Sequence, residues 1–403
     1  MEHKQHICFL QYNLQGGGAE RKVCTLANYF AAQGHTVEVG LFGANNIAYP
    51  LDERIKVTFL RRENYEYRSN VETCIYTVRS ILLQLSFNLL KIVSRSLAVK
   101  VKKHFDKSLN YTSPIQRYIL NRPDAVFITM MVSTYLEVLK VMERYWKEQI
   151  PVPYLVMDCS DPKRNADREM DRKRTDKYPR ASRVLVMTQE AKAYFNDEIQ
   201  KKCEVIPNPI RDDLPAPYHG ERRKTVVTYC RLNRQKNLPL LLDAFDLFHK
   251  RFQEYSLEIY GEGEEREALY SLIWEKGLDM AVTIQPFDPK VHQKIKDCAM
   301  FVSSSDWEGF PNSVLEALAL GMPVISTDCD YGPRDMIEDH VNGLLTPVGD
   351  VQALTDAMIE LAESPALAQA LGEKAVAVRD KYASEIICRQ WLDLIEEVKK
   401  EFS

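Results

Sequence analysis

The chain has 403 residues, 45% apolar and 27% charged, with a formal net charge of −4. That balance fits a globular protein of two or three domains and excludes a disordered, collagen-like or disulfide-stapled chain. Nine cysteines are scattered singly, without C-x-x-C or metal-ligand spacing, which points to reduced thiols in a cytosolic setting. No secretory signal is visible, and no window of about 18 apolar residues predicts a membrane span. The charge is unevenly spread. Residues 1–210 carry 32 Lys+Arg against 23 Asp+Glu, a net +9, and the remainder carries 21 against 34, a net −13. Such asymmetry suggests that one half faces an anionic surface, either membrane headgroups or nucleic acid.

The first predicted element is a strand, His6 to Tyr12. It runs into Gln15-Gly16-Gly17-Gly18-Ala19-Glu20-Arg21 and a helix that ends at Gly34, followed by a strand from Thr36 to Phe42. Glycines there let a backbone approach a ligand closely, and the helix start offers free N–H groups to an anion. The dinucleotide spacing G-x-G-x-x-G fails because Arg21 stands at its third glycine, and a plain tight turn explains the same residues. A third strand covers Ile55 to Leu60. Residues 79–110 then hold seven basic residues and one acid, Asp106. On a helix, Gln84, Asn88, Lys91, Arg95 and Lys102 fall on one side, with Leu82, Leu85, Phe87, Leu89, Leu90, Val93 and Leu97 filling most of the rest. Such a segment either covers a parallel sheet or lies on an anionic membrane through Lys91, Arg95 and Lys102. Its basic excess lacks the aromatic-studded groove of a nucleic-acid binder, so no nucleic acid is expected.

Strands at Asp124 to Met130 and Pro153 to Met157 come next. Asp158 and Asp161 follow the second, where by themselves they read as helix N-caps. The run from Lys163 to Arg180 reads as a solvated helix or loop. Arg183 to Thr188 and Cys203 to Pro207 close the first set of strands. Turn formers from Asn208 through Pro215, Pro217 and Gly220 mark a linker. The alternation then restarts: strand Thr225 to Cys230, helix Leu238 to Phe252, strand Ser256 to Tyr260 with the turn Gly261-Glu262-Gly263, helix 264–277, strand 281–286 and helix 290–297. Repeated βα units predict an α/β chain with doubly wound parallel sheets.

The densest stretch is 299–350. A buried strand, Ala299 to Val302, leads to a polar loop and a helix with Val314, Leu315, Leu318 and Ala319 on one face, then to a strand from Pro323 to Thr327. Glu308 falls in the loop and Glu316 in the first helical turn, at the strand ends where open parallel sheets bind ligands. Carboxylates accept hydrogen bonds from hydroxyls, in which sugars and riboses are rich. Ser313-Val314-Leu315-Glu316 also fits a capping box, a purely structural use of the second glutamate.

The E-x7-E pair within EGFPNSVLEALALGMPVISTD, together with GGGAER near the start, resembles the retaining glycosyltransferases of family 4, which have the GT-B fold. The resemblance covers nearly the whole chain. It implies two Rossmann-like domains facing a central cleft: residues 1–210 for the acceptor, 211–380 for the nucleotide sugar, and a last helix, 381–403, returning to the first domain. It places Glu308 at the donor sugar, Glu316 at the nucleotide ribose, and Arg231 and Lys236 at the diphosphate, where fixed cations stabilise the charge gained by the leaving group. Gly17, Gly18, Gly261, Gly309, Phe310, Pro311, Asn312 and Gly332 would complete the donor site. The family's histidine, or serine-arginine-asparagine-aspartate-proline run, after the Pro153–Met157 strand is reduced here to Asp161-Pro162, and the resemblance leaves Asp158 and Asp161 as the acceptor contacts. Asp335 stands where a glutamate is usual.

Asp328-Cys329-Asp330 is a D-x-D, a metal-holding motif in another glycosyltransferase fold; inside the E-x7-E context it reads as a decoy, and no obligatory metal or other cofactor is expected. The wording of the second half resembles enzymes of bacterial surface polysaccharides. This implies a uridine diphosphate hexose or N-acetylhexosamine donor, a lipid-linked or glycan acceptor, and peripheral attachment to the inner face of the membrane. A sugar-nucleotide epimerase of the same fold, or an inactive partner subunit of another transferase, would carry a similar donor site; an isomerised free nucleotide sugar, or lack of activity in the pure chain, would reveal either.

Overall fold

The computed structural model describes residues 4–15, 17–43, 47–60, 114–142, 152–163 and 168–402. They divide into two compact units, spanning residues 1–154 and 155–401. Lys91, Arg95 and Lys102, expected on a membrane-facing helix, lie outside the described residues. Among the described residues no helix is long and apolar enough to cross a membrane.

In the first unit, β1 (His6–Gln11), β2 (Thr36–Leu41), β3 (Lys56–Phe59) and β4 (Val126–Thr129) run parallel in the order β3-β2-β1-β4. Ile7, Cys8, Phe9 and Leu10 are all fully buried, as continuous apolar runs are when both faces of a parallel sheet are covered. Helix α1 (Gly18–Ala32) lays Val23, Leu26, Ala27 and Phe30 into the core, and the Phe30 ring stacks on Phe9 with centroids 6.3 Å apart. Gly34, at φ 86°, turns the chain from α1 towards β2.

The second unit starts with β5 (Tyr154–Met157), apart from Tyr154 itself. Helix α2 (Arg168–Lys177) follows, then β6 (Arg183–Val186) and β7 (Cys203–Val205), with β5, β6 and β7 in parallel register. A six-stranded parallel sheet comes after: β8 (Arg223–Tyr229), β9 (Ser256–Tyr260), β10 (Val282–Gln285), β11 (Cys298–Ser303), β12 (Val324–Thr327) and β13 (Leu344–Thr346). Their order, β10-β9-β8-β11-β12-β13, begins in the middle, winds to one edge, and then crosses back to the other. The direction reverses between β8 and β11, so a crevice opens there at the carboxyl ends.

Helices α3 (Leu238–His249), α4 (Val291–Ile295), α5 (Asn312–Ala319), α6 (Pro333–Met336), α7 (Val351–Glu363) and α8 (Ser384–Lys400) connect or flank this sheet. Leu241, Phe245 and Phe248 of α3 share one core with Leu257, Ile259, Met300, Val302, Leu354 and Met358. At the end of the chain α8 buries Trp391 completely and sets Glu397 and Glu401 on Arg183 of β6 at 2.7 and 2.5 Å. The doubly wound α/β architecture is the expected one. The short β13 and α6 are additions to the expected elements.

At the amino-terminal ends of the first unit's strands lies an ion cluster. Glu38 accepts hydrogen bonds from Arg122 through Nε (3.0 Å) and Nη2 (2.8 Å), and its Oε1 lies 3.1 Å from His6 Nε2. His6, Cys8 and Glu38 have the proximity of a metal site, but both Glu38 oxygens already face a guanidinium, so the group is an ion-pair cluster. Burial alone would raise the Glu38 pKa; the bonds from His6 and Arg122 outweigh it and hold the carboxyl down at about 2. A carboxylate depressed by folding stabilises the native state above its ordinary range and loses that contribution as pH falls towards the folded value. We therefore expect Glu38→Gln to destabilise the protein at pH 7 by roughly 3 kcal/mol, with the deficit closing between about pH 5 and pH 2. Thermal melts of the two proteins across that range check it; equal melting temperatures at pH 7 contradict it.

Candidate active site

The expected donor residues of the second half converge on the carboxyl ends of β8, β9, β11 and β12. Glu308 and Glu316 are both buried. The loop after β8 is sewn to the loop after β11: Asp306 N–H donates to the Gln235 carbonyl (2.9 Å), Ser304 Oγ to the Lys236 carbonyl (2.8 Å), and Asn237 Nδ2 to Asp306 Oδ1 (2.7 Å). Asn237 adopts φ 42°, which an Asn tolerates better than most residues, and its Oδ1 caps α3 through Leu240 N–H.

These bonds bring Lys236 Nζ into an ion pair with Glu308 Oε1. Ser305 Oγ donates to the same oxygen at 2.7 Å, and Gln235 Nε2 to Oε2 at 3.2 Å. Burial alone would lower the Lys236 pKa, but the Glu308 charge more than compensates and raises it, so the ammonium stays charged. Arg231, at the end of the same strand, is exposed. The site therefore offers one cation tied to a carboxylate and a second cation facing solvent.

Glu316 is held differently. Its Oε2 lies 2.8 Å from His292 Nε2 and 3.2 Å from the Tyr229 hydroxyl oxygen. The N-cap of α5 is Pro311, without a side-chain cap, so the capping-box use of Ser313 and Glu316 is not what the helix start shows. Neither Tyr229 nor His292 was singled out by sequence. Their pairing with Glu316 joins residues 87 and 24 positions away, beyond any local pattern.

The glycines fit close backbone packing. A Cβ on Gly261 would lie 1.9 Å from the Cys230 carbonyl oxygen, and one on Gly309 would lie 2.9 Å from the Cys159 carbonyl oxygen. Gly332, at φ 98°, brings its loop against Pro311, where a Cβ would meet Cδ at 2.5 Å. Phe310 packs edge-on to Tyr382 at 5.7 Å, and Asn312 Oδ1 accepts from Asn208 Nδ2 at 2.9 Å. Gly17 and Gly18 belong to the other unit, where Gly17 caps α1 and Gly18 begins it.

Asp158 and Asp161 are buried. The Asp158 carboxylate accepts from Tyr178 OH (2.8 Å), from Ser160 Oγ (2.5 Å), and faces Arg174 Nε at 3.1 Å. Arg174 also donates to the Pro162 carbonyl and to Ser160 Oγ. The charged run from Lys163 to Arg180 was expected to be solvated; instead Arg174 and Tyr178 are buried and brace the loop after β5. In the D-x-D, Asp328 is paired with Arg334 and Asp330 with Lys163 (2.6 Å), so each carboxylate faces a cation of the chain itself.

Residues 211–378 match the family model for glycosyl transferases group 1. The chain is 31% identical over 180 residues to the poly(ribitol-phosphate) alpha-N-acetylglucosaminyltransferase of Staphylococcus aureus (strain COL), a match covering 44% of this chain and 36% of that protein. The chain thus aligns with only about a third of that relative's length. An uncharacterized glycosyltransferase of Haemophilus influenzae (strain ATCC 51907 / DSM 11121 / KW20 / Rd) is 20% identical over 382 residues, 94% of this chain and 96% of that protein. In structure, the chain is similar to a mutant of S. aureus TarM in complex with Fondaparinux, alpha-GlcNAc-glycerol and UDP, with TM-score 0.74, 16% identity, and coverage of 97% of this chain and 99% of that one.

Asp335 gives the site a pH dependence. Its Oδ2 accepts from Gly332 N–H at 3.2 Å, but burial, and then the charge of Glu190, push its pKa up to about 6. A carboxyl raised by folding binds its proton more tightly in the native state, so stability falls as pH rises from about 4 to about 6. Asp335→Asn keeps an acceptor for Gly332 and removes the charge. It is expected to be more stable than wild type at pH 7.5, by roughly 1–3 kcal/mol, and no more stable at pH 4. Denaturant melts at the two pH values measure this; a variant less stable at both contradicts it.

Proposed function

Residues 211–378 belong to the glycosyl transferases group 1 and the chain has the GT-B fold, and on that premise we propose that it is a retaining glycosyltransferase. It moves a hexose or N-acetylhexosamine from a nucleoside diphosphate sugar, with uridine as the base, to a hydroxyl of a glycan, polyol phosphate or lipid-linked acceptor. The observation that carries the reading is the pair of buried carboxylates, Glu308 and Glu316, at the switch point of one parallel sheet, with Lys236 on the first. The S. aureus relative's name specifies an alpha linkage, and the TarM complex holds UDP beside an alpha-GlcNAc-glycerol. From an alpha-linked donor, an alpha product means retention.

In this reading Glu308 receives sugar hydroxyls, Glu316 ribose hydroxyls, and Lys236 and Arg231 the diphosphate. As the bond from the anomeric carbon to phosphate oxygen breaks, its electron pair goes to that oxygen, and the leaving diphosphate gains about one negative charge. Two cations already in place lower that barrier without reorganising. The acceptor oxygen attacks from the same face, and its proton passes to the departing phosphate oxygen, so no protein base is required. Lys236 would then exchange, or share, Glu308 for phosphate as the donor binds. The acceptor side involves the loop that Asp158 and Asp161 shape after β5. Attachment to the inner membrane face, through the segment carrying Lys91, Arg95 and Lys102, would confine the enzyme to the surface bearing a lipid-linked acceptor.

Glu316→Ala and Lys236→Ala are each expected to lower transfer from the UDP-sugar by about 10²–10³-fold. Thermal melts must show both variants folded, because Lys236→Ala leaves Glu308 without its cation. Turnover near wild type in either folded variant contradicts the assignment. Transfer is also expected to persist in EDTA, since Asp328 and Asp330 face Arg334 and Lys163. Complete loss restored by manganese would return the D-x-D to a metal role.

A further inference from the structure

We infer that His292 is a positioning residue for Glu316, and that Arg211 sets the tautomer in which it works; this rests on the ribose role proposed for Glu316. His292 projects from α4 and is buried, with its ring edge-to-face on Tyr229 at 5.2 Å. One ring nitrogen, Nε2, lies 2.8 Å from Glu316 Oε2; the other, Nδ1, lies 3.4 Å from Arg211 Nη1. A guanidinium only donates hydrogen bonds. The nitrogen facing Arg211 must therefore be the acceptor, which leaves the ring proton on Nε2, pointing at Glu316. Arg211 is itself clamped by Asp213 through both carboxylate oxygens, at 2.6 Å each.

Tyr229 does not make His292 redundant. Its hydroxyl has one proton, and the Ser313 carbonyl takes it at 2.9 Å, closer than Glu316 at 3.2 Å. A glutamate has three side-chain torsions, and a bond to one oxygen from a residue locked at both ends fixes the direction of the other. Hydrogen bonds weaken steeply when misaligned, so a ribose hydroxyl senses that direction. The relay Asp213–Arg211–His292–Glu316 thus carries orientation from the segment after β7 into the nucleotide site. His292 acts through Glu316 and touches no reacting atom.

The test compares UDP with 2′,3′-dideoxy-UDP by calorimetry. Wild type is expected to favour UDP by about tenfold or more, as about 1.4 kcal/mol of hydrogen bonding would give. Glu316→Ala and His292→Leu should each reduce that preference to within about twofold, and combining them should reduce it no further. His292→Gln is expected to retain it, because an amide offers an N–H to Glu316 and a carbonyl oxygen to Arg211. A merely structural role for His292 would weaken both ligands equally and leave their ratio intact; that result overturns the inference. If His292→Leu does not fold, Arg211→Met carries the test: lost preference supports the relay, and full preference sinks it. No preference in wild type, or full preference in Glu316→Ala, removes the ribose role itself and this inference with it. Loss in Glu316→Ala with retention in His292→Leu removes only the relay.

Discussion

A buried carboxylate must find a cation or several donors, and Glu308 imposes that demand on the second unit. Left alone in a low-dielectric crevice, its charge would cost several kcal/mol. Lys236 answers it, but only because the loop after β8 is held in place by Ser304, Asp306 and Asn237. Two loops that meet nowhere in the sequence are thereby locked into one surface. Gly261 lets the turn after β9 join them, since any side chain there would strike the Cys230 carbonyl. The ion pair is thus a folding constraint on both loops.

The two glutamates are prepared for different work by what holds them. Glu308 meets a cation directly, along with Ser305 and Gln235. Glu316 faces His292 Nε2 and the Tyr229 hydroxyl oxygen, with the Arg211 guanidinium one step removed. Two residues of one type, eight positions apart, thus acquire unlike characters from their neighbours alone.

The fold was legible because its signals are local. Apolar runs such as Ile7 to Leu10 and Phe301 to Val302, each followed by a helical pattern, predict covered parallel strands, and the sheets consist of such strands. Local patterns likewise put Glu308, Arg231 and Lys236 in loops after strands and Glu316 in the helix that follows, while the roles expected of them come from the resemblance alone. What escaped was nonlocal or too short. Leu344–Thr346 has only three residues, too few for alternation to show. His292 lies among Lys290, Lys294 and Lys296 in the expected helix 290–297, where nothing local singles it out; its pairing depends on Glu316 and Arg211, brought to it only by the folded sheet. The Glu38 cluster likewise joins residues from β1, β2 and the entry to β4.

Arg174 shows most clearly how a charged run can mislead. In Arg168 to Lys177 every pattern points to solvent, yet one guanidinium is buried and gathers Asp158, Ser160 and the Pro162 carbonyl around it. Burying an arginine is costly unless its charge and donors are met; here Nη1 and Nη2 donate to the Pro162 carbonyl and Ser160 Oγ of the loop after β5, and Nε faces Asp158 at 3.1 Å. The same loop presents the Cys159 carbonyl to Gly309, where a Cβ would lie 2.9 Å away. Gly309 directly follows Glu308. The buried arginine is therefore linked to Glu308 through a loop and a glycine, and the Asp158 carboxylate that braces this loop is already committed to Arg174, Tyr178 and Ser160.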